Sequence, residues 1–214
     1  GTKIGIQYEG EDADLQTELL TEEYLNTGAY DCDLMEVGYV ARGVDLEHYL
    51  RFWDNLSVEG LYLTGTGTSD HHWGGDWLDF ANPFVTWVFL DVPTREAIAG
   101  ELGSGRAFFG DPGPFVGHDA LLDLWSEHGA VMGDILESDL DQVVHVQTGY
   151  LEGGWTLELV VDGEVHESLL LAGDETDSVF ELPRGARRAI RAQLLDEEGE
   201  AILVSNPLYL AMPD

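Results

Sequence analysis

Apolar positions along this chain follow two rhythms. From Lys3 to about Gly110, short apolar runs alternate with stretches of helical spacing, which predicts β/α architecture. From about Gly117 onward apolar and polar residues alternate at period two, which predicts strands. In the first region Leu34 to Val40 reads as a strand. Leu46, Tyr49, Leu50 and Trp53 then fall at helical spacing over Asp45 to Leu56, with Asp45 placed to cap the start. Leu61 to Gly65 is the next strand. The run VTWVFLDV, Val85 to Val92, is continuous and apolar, the pattern of a strand buried on both faces. Thr94 is placed to cap a short helix over Arg95 to Leu102, which Gly103 and Gly105 end, and Ala107 to Phe109 forms one more strand.

In the second region VVHVQTGY, WTLELVVDGEVHESLLL, SVFELP, ARRAIRAQLLDEEGEAILV and NPLYL each carry strand patterning. Asp162-Gly163 is a two-residue hairpin turn and Glu198-Gly199 ends another. The short Leu121 to Trp125 run is the one helix-like interruption. This spacing predicts a β-sandwich of about seven strands. The expected fold is therefore α/β followed by all-β, with residues 1–112 forming the α/β portion and 113–214 the sandwich. Gly110 to Gly117, with Pro112, Gly113 and Pro114, is the expected junction.

Charge changes the picture of where such a chain works. It has 214 residues, with 42 acidic against 9 basic ones and a formal net charge of -33. A chain so charged is normally disordered, yet 44% of its residues are hydrophobic and its acids are spread along the whole length. Lys3 is its only lysine. The pattern resembles the proteins of salt-in halophiles, in which molar salt cuts the Debye length to about 3 Å and screens self-repulsion. No basic patch occurs beyond Arg184, Arg187, Arg188 and Arg191, so neither nucleic acid nor an anionic membrane is expected as a partner. No apolar run approaches the length of a membrane span. Cys32, the only cysteine, reads as a buried structural thiol. The compartment stays open between the cytoplasm of a salt-in organism and export by a signal outside these residues.

The candidate chemistry lies in TGTGTSDHHW, Thr64 to Trp73, where a Gly-rich strand leads into Asp70, His71 and His72. On an extended backbone Asp70 and His72 point the same way and can share one cation, with His71 facing the opposite side. Mixed oxygen and imidazole donors suit Zn²⁺ or Mn²⁺, which activate water for hydrolysis. The other reading of these residues is a solvated surface turn. No G-x-S-x-G elbow supports serine chemistry, and the glycines lack the downstream pattern of a dinucleotide or P-loop site.

The order of MEV (Met35 to Val37), FWDNLSVEG (Phe52 to Gly60), TGTSDHHW (Thr66 to Trp73), VTWVFLD, GSGRAFFGDPGPF (Gly103 to Phe115) and SNPLYL (Ser205 to Leu210) resembles the C-terminal part of the PHP-type metal-dependent phosphoesterases, in particular their CehA/McbA-like branch. The resemblance runs from about residue 30 onward and rests on motif order more than on any one motif. It implies a partial, distorted β/α barrel followed by a small β-sandwich. It implies Asp70, His72 and Glu36 as metal ligands, Arg106 and His71 as substrate-binding residues, and a divalent Zn, Mn or Fe cofactor. Two departures stand out. Gly38 and Tyr39 follow Glu36 where the family usually has an asparagine, and the H-x-H pair of the family's first strand does not occur. Glu36 therefore reads equally as a strand-end carboxylate, and Arg106 equally as one half of a salt bridge. The function so implied is the C-terminal portion of a hydrolase for phosphoester or related ester bonds, inactive without the missing N-terminal half of the barrel. The competing class is a non-catalytic binding or structural module that uses the sandwich as its interaction domain. In that class Trp125 and Trp155, if exposed, stack on sugar rings, although sandwich tryptophans are more usually core.

Overall fold

The apolar stripe between Asp45 and Val58 does form a helix, and it serves as the crossover of a β-α-β unit. Helix α2 (Leu46–Val58) buries Leu46, Tyr49, Leu50, Phe52, Trp53 and Leu56. It connects β1 (Leu34–Gly38) to β2 (Thr64–Gly67), which pair in parallel. Asp45 holds the N-cap position without a side-chain capping bond. A helix with no clear sequence signal, α1 (Glu11–Thr27), packs on α2 through buried Ala13, Thr17 and Leu20. The computed structural model describes residues 11–40, 45–70, 82–149, 154–171, 175–185 and 188–211.

Besides two short 3-10 turns, Gly28–Asp31 and Gly113–Phe115, the remaining described elements are β3 (Val85–Val88), α3 (Arg95–Ser104), β4 (Ala107–Gly110), β5 (Leu121–Ser126), β6 (Ile135–Glu137), β7 (Gln142–Gly149), β8 (Thr156–Val161), β9 (Glu164–Leu170), β10 (Glu175–Leu182), β11 (Arg188–Leu195), β12 (Ala201–Ser205) and β13 (Leu208–Ala211). The protein is thus mostly β, with few helices. A three-stranded sheet has the order β10-β7-β5, and an eight-stranded sheet follows β3-β4-β12-β11-β13-β6 with β8 and β9 attached through β11. These two sheets face each other across one core. Leu122, Leu124, Val144, Val146, Phe180 and Leu182 come from the smaller sheet, and Leu157, Leu159, Ile190, Ala192, Leu194 and Leu203 from the larger.

The larger sheet has a second covered face. Strand alternation sends Phe108 and Leu203 into the core between the sheets, while their neighbours Phe109 and Val204 join a second core with Trp53, Leu56, Met35 and Val37. The sheet is therefore a wall between two interiors. It also runs across the expected junction, because β4 pairs with β12 in the register Phe109↔Val204 and Phe108↔Ser205. A buried ion pair ties the second layer to the wall. Arg191 of β11 donates from Nε and Nη2 to the two carboxylate oxygens of Asp54 in α2, each at 2.8 Å.

Several local expectations need correction. Leu121 to Trp125 is strand β5, with Leu122 and Leu124 inward, so its apolar run follows period two. Only Val85–Val88 of the VTWVFLDV run is a strand, and it is half-buried throughout, because β3 is an edge strand paired with β4 alone. Cys32 is exposed, so it is not a core thiol. Thr94 does cap α3, its side chain accepting from the Ala97 amide at 3.1 Å, and Gly105 ends that helix with φ of 80°.

One contact between loops depends on glycine. Gly133 has φ of 88°, and a Cβ there would stand 1.7 Å from the Ser104 carbonyl oxygen and 2.8 Å from Cα of Gly105. The left-handed backbone and the backbone clash act together. Gly133→Ala is expected to cost about 2–3 kcal/mol, read by urea unfolding in molar KCl. A loss below about 0.5 kcal/mol would show that the approach is not rigid.

Candidate functional site

In parallel strand arrangements ligands gather beyond the carboxyl ends of the strands. Asp70 lies beyond that end of β2, and Glu36 lies in the middle of β1, in register with Thr66. The strand glycines have a packing role. A Cβ on Gly65 would meet the Trp53 ring at 2.7 Å and Phe109 at 3.0 Å, and one on Gly67 would meet the Val85 carbonyl oxygen at 2.9 Å. The TGTG pattern thus lets β2 lie flat against aromatic rings and a neighbouring strand. Trp53 is fixed by its indole N–H, which donates to the Leu63 carbonyl at 2.8 Å.

Beyond Gly67 the chain leaves the strand. Asp70 is exposed and its φ is 48°, in the left-handed region, so the extended geometry expected for Asp70 and His72 does not hold at Asp70. His71 and His72 lie outside the described residues. Glu36 is also exposed, and it accepts a hydrogen bond from the Thr68 hydroxyl. The Tyr39 hydroxyl donates to Oδ2 of Asp70 at 3.2 Å. Buried Asn82 completes the arrangement. Its carbonyl oxygen accepts from the Val40 amide at 3.1 Å, and its amide group donates to the Thr68 carbonyl. Three cross-links therefore sew β1 and the two residues after it to the segment that follows β2.

Tyr39, Thr68 and Asn82 were not singled out as site residues by sequence. Tyr39 had one signal, its place three residues after Glu36 where the resembled family has a different side chain. Asn82 had none, since an Asn-Pro step reads first as a turn.

Arg106 is engaged in an ion pair. Both its terminal nitrogens donate to the Asp123 carboxylate, Nη2 at 2.7 Å, and its guanidinium lies 4.2 Å from the centre of the Phe89 ring. The salt-bridge reading is the one the structure holds. Trp155 is buried in the sandwich core. Trp125 is half-buried on the outer face of β5, stacked on His145 of β7 with ring centres 5.3 Å apart and planes 7° apart.

Among the described residues, no three of His, Cys, Asp and Glu converge to hold a metal ion. The donor types at the strand ends nevertheless suit one. Glu36 and Asp70 are exposed carboxylates, each accepting from a neutral hydroxyl, and carboxylate oxygens are hard donors. A groove of about 1030 Å³ begins near Val40 and Phe84 and runs along α2 to β8 and β11, where Asp54, Glu158, Arg191 and Gln193 line it. Its two arginines, Arg51 and Arg191, are both ion-paired, with Asp14 and Asp54.

No protein-family model and no curated protein matches the chain. Among solved structures it is similar to the CARDB domain of a Pyrococcus furiosus protein, in a crystal structure in complex with di-metal ions and in a solution structure. Both are 12% identical at a TM-score of 0.29, over 44% of this chain and 88% and 94% of the respective domain chains.

Proposed function

We propose that this chain is a structural and binding module that performs no complete reaction alone: its β-sandwich braces a cation-binding site at the ends of β1 and β2. The observation that carries this reading is the shared wall. The sheet that forms one side of the sandwich core also supplies Phe109, Val204 and Arg191 to the layer holding the site. Such bracing is what a site on strand ends needs, because ligand groups must be held by packed neighbours to keep their geometry.

The placement of Glu36 and Asp70 favours a sharper reading of the same site. In it the chain is the C-terminal portion of a metal-dependent hydrolase for phosphoester or related ester bonds, as its resemblance to the PHP-type phosphoesterases implies. Asp70, His72 and Glu36 hold the cation, and the remaining ligands come from the other half of the barrel. A bound divalent metal supplies a nucleophilic hydroxide and stabilises charge on the reacting group. The residues of this chain position the ion and exclude alternative geometries.

The test is metal content after purification in molar KCl, which screens unspecific cation binding to so acidic a surface. Near-stoichiometric Mn, Zn or Fe is expected in the native chain, with a drop of at least about tenfold in Asp70→Ala/His72→Ala. Equal metal in both proteins would remove the site. Metal-dependent turnover of a p-nitrophenyl phosphate and ester panel by this chain alone would overturn the reading that it performs no complete reaction alone.

A further inference from the structure

We infer that the outer face of the three-stranded sheet is a binding site for a neutral oligosaccharide, independent of the cation site proposed above. Strand register builds it. Trp125 of β5 lies opposite His145 of β7, which lies opposite Val179 of β10, and on the other side of Trp125 an isolated bridge adds Val131. Directly opposed residues share a face, so these side chains form one row across the sheet. The row spans roughly 14 Å at the usual strand spacing. Alternate residues of the same strands, Leu124, Val144 and Phe180, point into the sandwich core, so the row faces outward. Val179 is 54% exposed, and Trp125, His145 and Val131 are half-buried. The far face of the larger sheet carries the second core, so of the two outer faces it is the smaller sheet's that meets solvent.

The indole is held before any ligand arrives. Its plane lies 7° from that of the His145 ring, and the imidazole in turn stands between two carboxylates, Nδ1 3.4 Å from Oδ1 of Asp177 and Nε2 3.9 Å from Oε1 of Glu127. A ring so placed offers apolar surface at little further ordering cost. The Asp177 and Glu127 side chains are each 57% exposed, which leaves acceptor lone pairs for hydroxyl groups beside the row. An apolar row edged by such acceptors matches a sugar, whose ring has a C–H face and a rim of hydroxyls. Charge selects a neutral one. At a formal net charge of -33 the chain repels anions, and in molar salt its attraction for cations is screened within about 3 Å. Stacking and hydrogen bonds to an uncharged ligand survive both conditions.

The experiment is calorimetric titration of the full chain in molar KCl with cellohexaose, xylohexaose and maltohexaose. Saturable binding of at least one is expected, with an affinity that changes by less than about twofold when the KCl is doubled, because an uncharged ligand releases no ions. Trp125→Ala should weaken binding by at least about tenfold, and Glu127→Ala/Asp177→Ala by about fivefold. Val179→Asp puts a charge into the row at a surface position that does not threaten the fold, and it too should weaken binding about tenfold. That variant decides the matter if Trp125→Ala does not fold. No binding of any of the three sugars by the native chain, or native affinity in Val179→Asp or in a folded Trp125→Ala, would overturn the inference. An affinity that falls steeply with salt would do the same, since it marks an ionic contact. Metal content tests the cation site separately, so the failure of either reading leaves the other standing.

Discussion

Replacing Arg191 by methionine is expected to destabilise the protein by about 3–5 kcal/mol, a large part of the roughly 5–15 kcal/mol that holds a domain folded. Arg191 and Asp54 are 4% and 6% exposed, and the guanidinium meets both carboxylate oxygens. Removing the cation leaves a nearly buried carboxylate on α2 facing the sheet, and molar salt screens so little-exposed a charge only weakly. Asp54→Asn should fall in the same direction. The double replacement Arg191→Met/Asp54→Leu should recover most of the loss, because it removes the uncompensated charge along with the pair. The remaining deficit would reflect the Arg191 bond to Gln193 Oε1 at 2.6 Å, which goes with the arginine. A urea-unfolding cycle in molar KCl measures all four proteins. Single losses under about 1 kcal/mol would mean that the pair is hydrated and does not brace α2.

Phe109→Ala should cost a similar 3–5 kcal/mol or so, and its damage should be local to one side of the sheet. The Phe109 ring has its centre 5.9 Å from that of Trp53, and it covers the backbone of Gly38 and Gly65. Those two positions have no side chains that could turn into the space, so the cavity stays open and the cost lies toward the upper end. Amide exchange should therefore rise in β1 and β2 well before β5 and β7, which belong to the other core. Phe108→Ala should reverse the order. Equal loosening of both sides by each variant would refute the separation of the two interiors.

The sequence was most informative where packing and local periodicity agree. Helix α2 was legible because Leu46, Tyr49, Leu50 and Trp53 form a broad apolar stripe, and the hairpin at Asp162-Gly163 because that turn demands a positive φ, which both residues have. Helix α1 was not legible. Its buried face is Ala13, Thr17 and Leu20, a narrow stripe with one polar member, while Leu15 and Leu19 are exposed, so periodicity points the wrong way. Leu121 to Trp125 was too short for a period to show, and only its partner β7 makes it a strand. The candidate site was half legible. Asp70 and Glu36 could be picked out as carboxylates on or just after a strand, but Tyr39 and Asn82 act across 31 and 42 residues, and no local pattern encodes such pairings.

The wall also governs how this chain can be divided or inherited. A cut at the proline-glycine stretch after Gly110 would strip β3 and β4 from the edge of β12 and leave an open ladder on a sheet that already has apolar residues on both faces. Neither piece would carry a finished surface. The sandwich is thus a poor candidate for shuffling between proteins without the strands that precede it, and recombination that preserves function must move β3 and β4 together with everything that follows.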